Sequence, residues 1–233
     1  MESRRWFCSG GALTLAAALS GCSTLGSLPM AGDPAPPPRP ESRTLERPDY
    51  HLVYGIYRGE HFPITAFDYG QVDPTYLRQI VAYNGSERPG TIIVDPPSRY
   101  LYYVDAPGRA TRYGVGVGRE GFAWSGQAQI NMKRDWPDWV PPPEMVARDP
   151  EIRAQLEHTP RGLGVLGGPH SPLGARAMYL FADGGDLGYR IHGTTEPETI
   201  GTNVSSGCIR MVNQDIVNLY PRTMVGTRVV VLS

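Results

Sequence analysis

Cysteine is scarce: the 233 residues hold three, Cys8, Cys22 and Cys208. Cys8 falls inside an N-terminal stretch with the marks of an export signal and Cys22 stands at its end, so Cys208 is the thiol left to a mature domain. No disulfide is then available, and a lone thiol in an oxidising compartment is a liability unless it is buried or used. An excess of charge is missing too, with 22 Lys and Arg against 23 Asp and Glu and no basic block. That argues against nucleic acid as a partner, because phosphate binding needs a clustered basic footprint. The apolar run Leu13 to Leu19 is too short to cross a bilayer as a helix. Metal-ligand spacing is absent as well: His51, His61, His158, His170 and His192 form no His-x-x-x-His pair. No metal or organic cofactor is called for.

What is present begins with 28 Gly and 23 Pro, which point to turn-rich β architecture in a chain of one-domain size. Arg4 and Arg5 precede the apolar run, which ends in Leu19-Ser20-Gly21-Cys22, a tetrapeptide that resembles a lipobox. The expectation is a lipoprotein-type signal peptide over 1–22, with Cys22 lipidated and anchoring the chain to a membrane. Ser23 in place of Asp favours the outer membrane. Ser3-Arg4-Arg5-Trp6-Phe7 also looks like a twin-arginine signal, so the export route stays open. Residues 23–49, with Pro34-Ala35-Pro36-Pro37-Pro38, have little to bury and are expected to form a tether.

Residues 50–90 are expected to pack on the main domain as a lead-in, with Leu77, Ile80, Val81 and Tyr83 hinting at a short helix after Asp73-Pro74. A domain over 91–233 follows. Thr91 to Asp95 and Tyr100 to Val104 bracket Pro96-Pro97-Ser98-Arg99 as a strand, turn, strand hairpin. Further short strands are expected at 111–118, 128–132, 177–181, 188–191 and 228–232, with helical pattern at 143–156 and 213–220. This predicts a mostly-β sandwich or open barrel carrying one or two short helices. Gly116-Val117-Gly118-Arg119-Glu120-Gly121 fits a dinucleotide-binding pattern formally, but no helix opens behind it, so the glycines read as relief of crowding in twisted strands. Trp124, Trp136 and Trp139 read equally as groove lining or as loop anchors.

The densest chemical signal is Tyr189-Arg190-Ile191-His192-Gly193-Thr194 followed by Ser205-Ser206-Gly207-Cys208-Ile209-Arg210-Met211, with His192 preceding Cys208 by 16 residues. A thiol with an ordinary pKa of ~8.5 needs a base or a cation to attack at neutral pH, and an imidazole supplies one. Gly207 gives a tight turn that exposes Cys208, and amides around Ser206 and Gly207 can face a developing oxyanion. Arg210 lies two residues on, on the same face of an extended strand as Cys208, able to hold a carboxylate or favour the thiolate. No Asp or Glu stands beside His192, so a backbone carbonyl near Gly193 or Thr194 is the expected orienter. Singly, a lone Cys reads as a small buried hydrophobe, a lone His as a core residue and Arg210 as a surface ion-pair partner. Together, among flanking Gly and Ser, they read as a site.

This stretch resembles the signature of the L,D-transpeptidase (YkuD) family, in which a His-Gly pair precedes Ser-x-Gly-Cys-x-Arg. Thr91 to Asp95, Trp136-Pro137-Asp138-Trp139, Pro141-Pro142-Pro143-Glu144-Met145 and Gly167 to Gly174 resemble the same family, from about Gly90 to the C-terminus. His170-Ser171 departs from it, where related sequences usually carry Asn. The resemblance implies Cys208 as nucleophile, His192 as general base, Arg210 as substrate or thiolate partner, and Ser206, Gly207 and Gly193 around the oxyanion. It further implies attack on the meso-diaminopimelate–D-Ala bond of a peptidoglycan stem tetrapeptide, in the service of wall organisation and cell shape on the periplasmic side of the envelope. The acyl group would pass to a neighbouring stem or to an envelope lipoprotein. A sortase-like enzyme carries its Arg further downstream, and a peptidase of the NlpC/P60 type has Cys before His. A non-catalytic wall-binding lipoprotein would have no use for both Cys208 and His192.

Overall fold

The computed structural model describes residues 43–118, 124–205 and 207–233, the side chains of Val204 and Ser205 excepted. The expected signal peptide, Cys22, most of the expected tether and Ser206 lie outside the described residues.

Among the described residues fourteen strands run in chain order: β1 (Thr44–Glu46), β2 (Gln79–Ala82), β3 (Ile92–Asp95), β4 (Tyr100–Ala106), β5 (Arg109–Gly114), β6 (Val117–Gly118), β7 (Gly126–Asp135), β8 (Glu157–Thr159), β9 (Gly162–Gly164), β10 (Arg176–Ala182), β11 (Gly185–His192), β12 (Asn203–Ser205), β13 (Ile209–Arg210) and β14 (Arg228–Val231). Four short helices join them: α1 (Tyr50–Val53), α2 (Pro143–Arg148), α3 (Pro150–Ala154) and α4 (Asn213–Leu219). Ten strands make one mixed sheet in the order β1-β2-β5-β4-β3-β14-β7-β10-β11-β13.

The sheet returns on itself. After β5 the chain reaches Gly116, whose N–H donates to the Arg210 carbonyl at 3.0 Å and whose carbonyl accepts from the Arg210 N–H at 2.8 Å. Strand β13 therefore has β11 on one side and Gly116 on the other, and the expected open barrel is the observed architecture. Inside it Ile92, Val94, Leu101, Tyr113, Ile130, Met178, Leu180, Ile191, Ile209 and Val229 meet Ile216 and Leu219 of α4. Burial of such side chains stabilises by roughly 1.5–3 kcal/mol each.

The expected hairpin is present, with β3 and β4 antiparallel and paired Ile92 to Tyr103 through Asp95 to Tyr100. Arg99 closes its turn at φ 59°. The helical pattern at 143–156 and 213–220 corresponds to α2, α3 and α4.

Two readings are corrected. The segment Leu77 to Tyr83 is not a helix: a 3₁₀ turn covers Pro74–Tyr76 and β2 follows, paired antiparallel with β5. Leu77, Gln79, Val81 and Tyr83 are buried while Arg78, Ile80 and Ala82 are half-buried, a period of two that the sheet uses. The stretch taken as tether contains β1, which pairs with β2 at the sheet edge. The helices are few and short, as the mostly-β reading expected, with four among the described residues.

The lead-in packs through Tyr54, Phe67, Val72 and Leu77 against Ile200 and Val212. It is also held by polar contacts: Glu60 accepts from buried Arg176 at 2.5 Å, and the Gln214 side-chain amide donates to the Thr65 carbonyl at 2.8 Å. Trp136 meets Phe62 edge-on at 5.3 Å and Trp139 bridges Val165, so both act as loop anchors. The first three residues of the formal dinucleotide pattern lie in the Gly116 bridge and β6, and the rest lie outside the described residues.

Candidate active site

The two halves of the expected motif meet because β11 and β13 are parallel neighbours. Ile191 pairs with Ile209 and His192 with Arg210. Ile191 and Ile209 point into the core, so alternation sends the side chains of Arg190, His192, Cys208 and Arg210 to the opposite face. One step back along the same register, Arg190 stands beside Cys208. Parallel pairing needs a long crossover, and residues 193–208 supply it.

His192 ends β11 with 4% of its surface exposed. Its Nδ1 lies 2.5 Å from the carbonyl oxygen of Gly193. A carbonyl only accepts, so Nδ1 carries the hydrogen and Nε2 keeps its lone pair. The backbone orienter expected from sequence is therefore the Gly193 carbonyl. Burial pushes the imidazole down to about 4, outweighing that hydrogen bond, and the cations Arg210 and Arg190 add to the fall. The ring is neutral at pH 7.

The loop behind His192 is held by Asn213, a residue to which sequence reasoning gave no role. Its Oδ1 accepts from the Ala175 N–H at 2.9 Å and its Nδ2 donates to the Thr194 carbonyl at 2.9 Å. A Cβ on Gly193 would sit 2.1 Å from that Oδ1, so glycine is needed here for space.

Cys208 is half-buried at the entry to β13. Burial pushes its thiol up, opposed chiefly by Arg190, through charge and through hydrogen bonds from its backbone and side chain, and to a lesser degree by the charge of Arg210. Gly207 has φ 116°, a region that L side chains rarely adopt, and a Cβ there would meet the Tyr189 ring at 2.8 Å. Tyr189 itself stacks on Trp124, with ring centres 6.0 Å apart.

Arg210 is not idle: its Nη1 donates to Glu196 Oε2 at 2.6 Å. Glu196 sits on the crossover, where its N–H donates to Thr194 Oγ1 at 3.0 Å. Neither Glu196 nor Arg190 was singled out from sequence. Register alone pairs them with the motif, and a sequence does not print register. His170 is exposed, whereas Ser171 is buried and donates to the Pro137 carbonyl at 2.8 Å, so this departure from the family pattern lies in a loop contact. Among the described residues no group of three or more His, Cys, Asp or Glu could hold a metal ion.

Residues 89–231 match the family model described as YkuD: L,D-transpeptidase catalytic domain. The chain is 35% identical over 144 residues to the probable L,D-transpeptidase YbiS of Escherichia coli (strain K12), covering 60% of this chain and 43% of that protein. It is also 35% identical over 144 residues to a putative L,D-transpeptidase of Fuscovulum blasticum, covering 60% of this chain and 68% of the other. The chain thus spans less than half the length of YbiS. A solved structure from Brucella melitensis, described as a probable carnitine operon oxidoreductase, is 45% identical over 71% of this chain and 99% of its own, with a TM-score of 0.46. At that score the likeness carries no argument, and its description differs from the family that this chain's sequence matches.

Proposed function

The chain belongs to the L,D-transpeptidase (YkuD) catalytic-domain family, and from that premise we propose that it is a peptidoglycan L,D-transpeptidase with Cys208 as nucleophile and His192 as general base. The observation that carries this reading is the β11–β13 pairing, which lines up His192, with its Nε2 lone pair available, beside Arg210 on the face that also carries Cys208.

In the proposed reaction the Cys208 thiol gives its proton to His192 Nε2 and the sulfur attacks the carbonyl between meso-diaminopimelate and the terminal D-Ala of a stem tetrapeptide. The C–N bond breaks, the imidazolium returns the proton to the departing amine, and D-Ala leaves behind a thioester. An acceptor amine then loses a proton to His192, attacks the thioester, and restores the thiol. The reading from sequence gives the backbone amides of Ser206 and Gly207 to the developing oxyanion. Arg210 holds a substrate carboxylate once Glu196 yields it.

The acceptor is a neighbouring stem peptide, giving a 3-3 cross-link, or an amine of an envelope lipoprotein. A lipid on Cys22 would tether the enzyme to the outer membrane, facing the periplasm and the wall. The test is to incubate the chain with disaccharide tetrapeptide and follow products by mass spectrometry, with Cys208→Ala alongside. Dimer with loss of D-Ala, abolished in the variant, supports cross-linking. Release of D-Ala without dimer points to hydrolysis or to a protein acceptor, and no reaction returns the chain to a wall-binding role.

A further inference from the structure

Three cationic or imidazole side chains share the face of the proposed nucleophile, and they are not equivalent. Arg210 is bound to Glu196 at 2.6 Å. His192 is neutral and held to the Gly193 carbonyl. Arg190 is the one that the β11–β13 register sets level with Cys208, and its charge, followed by its hydrogen bonding, is the strongest pull on the thiol toward the anion.

The remaining contacts of Arg190 fix its guanidinium in place rather than neutralise it fully. Its Nη1 donates to the Gly188 carbonyl at 2.5 Å. Its guanidinium carbon lies 4.8 Å from the centre of the Tyr179 ring, the cross-strand neighbour on β10. Among the described residues the carboxylate paired with it is Asp186, at 3.6 Å and partly exposed, so it offsets part of the charge and leaves the rest for sulfur. A cation held this way beside sulfur favours the anion.

We propose that Arg190 is a catalytic residue of this site, holding the Cys208 thiolate at the moment of attack, while Arg210 is reserved by Glu196 for the substrate. This rests on the reading of Cys208 as nucleophile. It departs from the motif's own implication, which offers Arg210 for both tasks. Arg190 comes two residues before the histidine and is brought to the sulfur by parallel strand register.

The test reads the thiol directly. Iodoacetamide alkylates the full-length chain at a series of pH values, and mass spectrometry follows the Cys208 peptide. In that reaction the thiol loses its proton to solvent, the sulfur bonds to the acetamide carbon and iodide leaves. Arg190→Gln should move the midpoint of the pH profile upward by about 1 unit, which is about a tenfold slower reaction at any pH below the midpoint. Arg190→Lys, which keeps the charge, should restore most of the shift, and Arg210→Gln should shift it less than Arg190→Gln does. Asp186→Asn removes the competing carboxylate and should move the midpoint down, a direction that mere loss of structure does not produce, and it decides the matter if Arg190→Gln fails to fold. An unmoved midpoint in Arg190→Gln, a larger shift in Arg210→Gln, or no downward shift in Asp186→Asn overturns the proposal. Failure of the transpeptidase reading would look different: the alkylation shifts would stand while stem tetrapeptide gave no product.

Discussion

Two buried groups of opposite sign make the stability of this domain deceptively flat in mild acid. His192 is pushed down to about 4 by burial, against 6.5 when unfolded. Between those values the unfolded chain binds more protons, so stability falls as the pH falls. Asp215 of α4 is the reverse, pushed up to about 6 by burial despite Arg78 at 3.4 Å and the Tyr54 hydroxyl at 3.2 Å, against 3.8 when unfolded. There the folded chain binds more protons, and stability present at low pH is lost as the pH rises through about 6. Going from pH 8 to pH 5, linkage gives a loss of roughly 2 kcal/mol from His192 and a gain of roughly 1 kcal/mol from Asp215. The net change in the native chain is under ~1 kcal/mol. The assay is urea unfolding at pH 5 and pH 8, followed by tryptophan fluorescence. His192→Gln should leave the chain more stable at pH 5 than at pH 8 by roughly 1 kcal/mol, and Asp215→Asn should make it less stable there by roughly 2 kcal/mol. Absolute stabilities of the variants do not enter, since each is compared with itself, and the other titrating groups are common to all three. If both variants keep the native difference between the two pH values, the assignment of these burial costs is refuted.

Four substitutions follow from the packing. Asn213→Ala removes the acceptor for the Ala175 N–H and the donor to the Thr194 carbonyl, costing about 1–3 kcal/mol in urea unfolding; a stability equal to that of the native chain would sink the idea that Asn213 anchors the His192 loop. Gly193→Ala alone places Cβ 2.1 Å from Asn213 Oδ1, so it should unfold more easily, and the double variant Gly193→Ala/Asn213→Ala should be less impaired than the sum of the two singles. Glu60→Ala strips buried Arg176 of its 2.5 Å partner and leaves exposed Asp135, at 3.4 Å, as its carboxylate among the described residues, a loss of roughly 3–5 kcal/mol read by thermal unfolding; a loss within experimental scatter would mean that the lead-in is not tied to β10. Gly207→Ala must force both a φ of 116° and a contact with the Tyr189 ring, so release of D-Ala should fall to the level of Cys208→Ala even where the chain still folds.

The parts of the fold legible in sequence were those where local chemistry and tertiary use agree. Thr91 to Val104 combines β-branched and aromatic runs with a Pro-Pro-Ser-Arg turn, and β3 and β4 form there. Leu77, Ile80 and Val81 have helical spacing, yet Val81 and Tyr83 alternate as well, and pairing with β5 decided between two periods that a short run cannot separate. Strand β1 carries almost no signal, because Thr44-Leu45-Glu46 is an edge strand whose hydrogen bonds come from β2. The site divides the same way. Cys208, His192, Gly193, Gly207 and Arg210 could be named from types and spacing. Arg190 and Glu196 could not, since each reaches the motif only through the β11–β13 register and the crossover.

The three residues that open α4 explain why the lead-in and the site are one mechanical unit. Asn213 holds the Thr194 carbonyl and the Ala175 N–H behind His192. Gln214 donates to the Thr65 carbonyl of the lead-in at 2.8 Å. Asp215 accepts from the Tyr54 hydroxyl and pairs with Arg78, both on the segment before β3. Successive residues on a helix point about 100° apart, so a single turn can grip three partners at once, but it cannot move for one without moving for all. The family match begins at residue 89 and leaves the lead-in outside. The physical unit nevertheless includes Tyr54, Thr65 and Arg78, because the carbonyl that fixes the His192 tautomer is braced by a helix that those residues hold down.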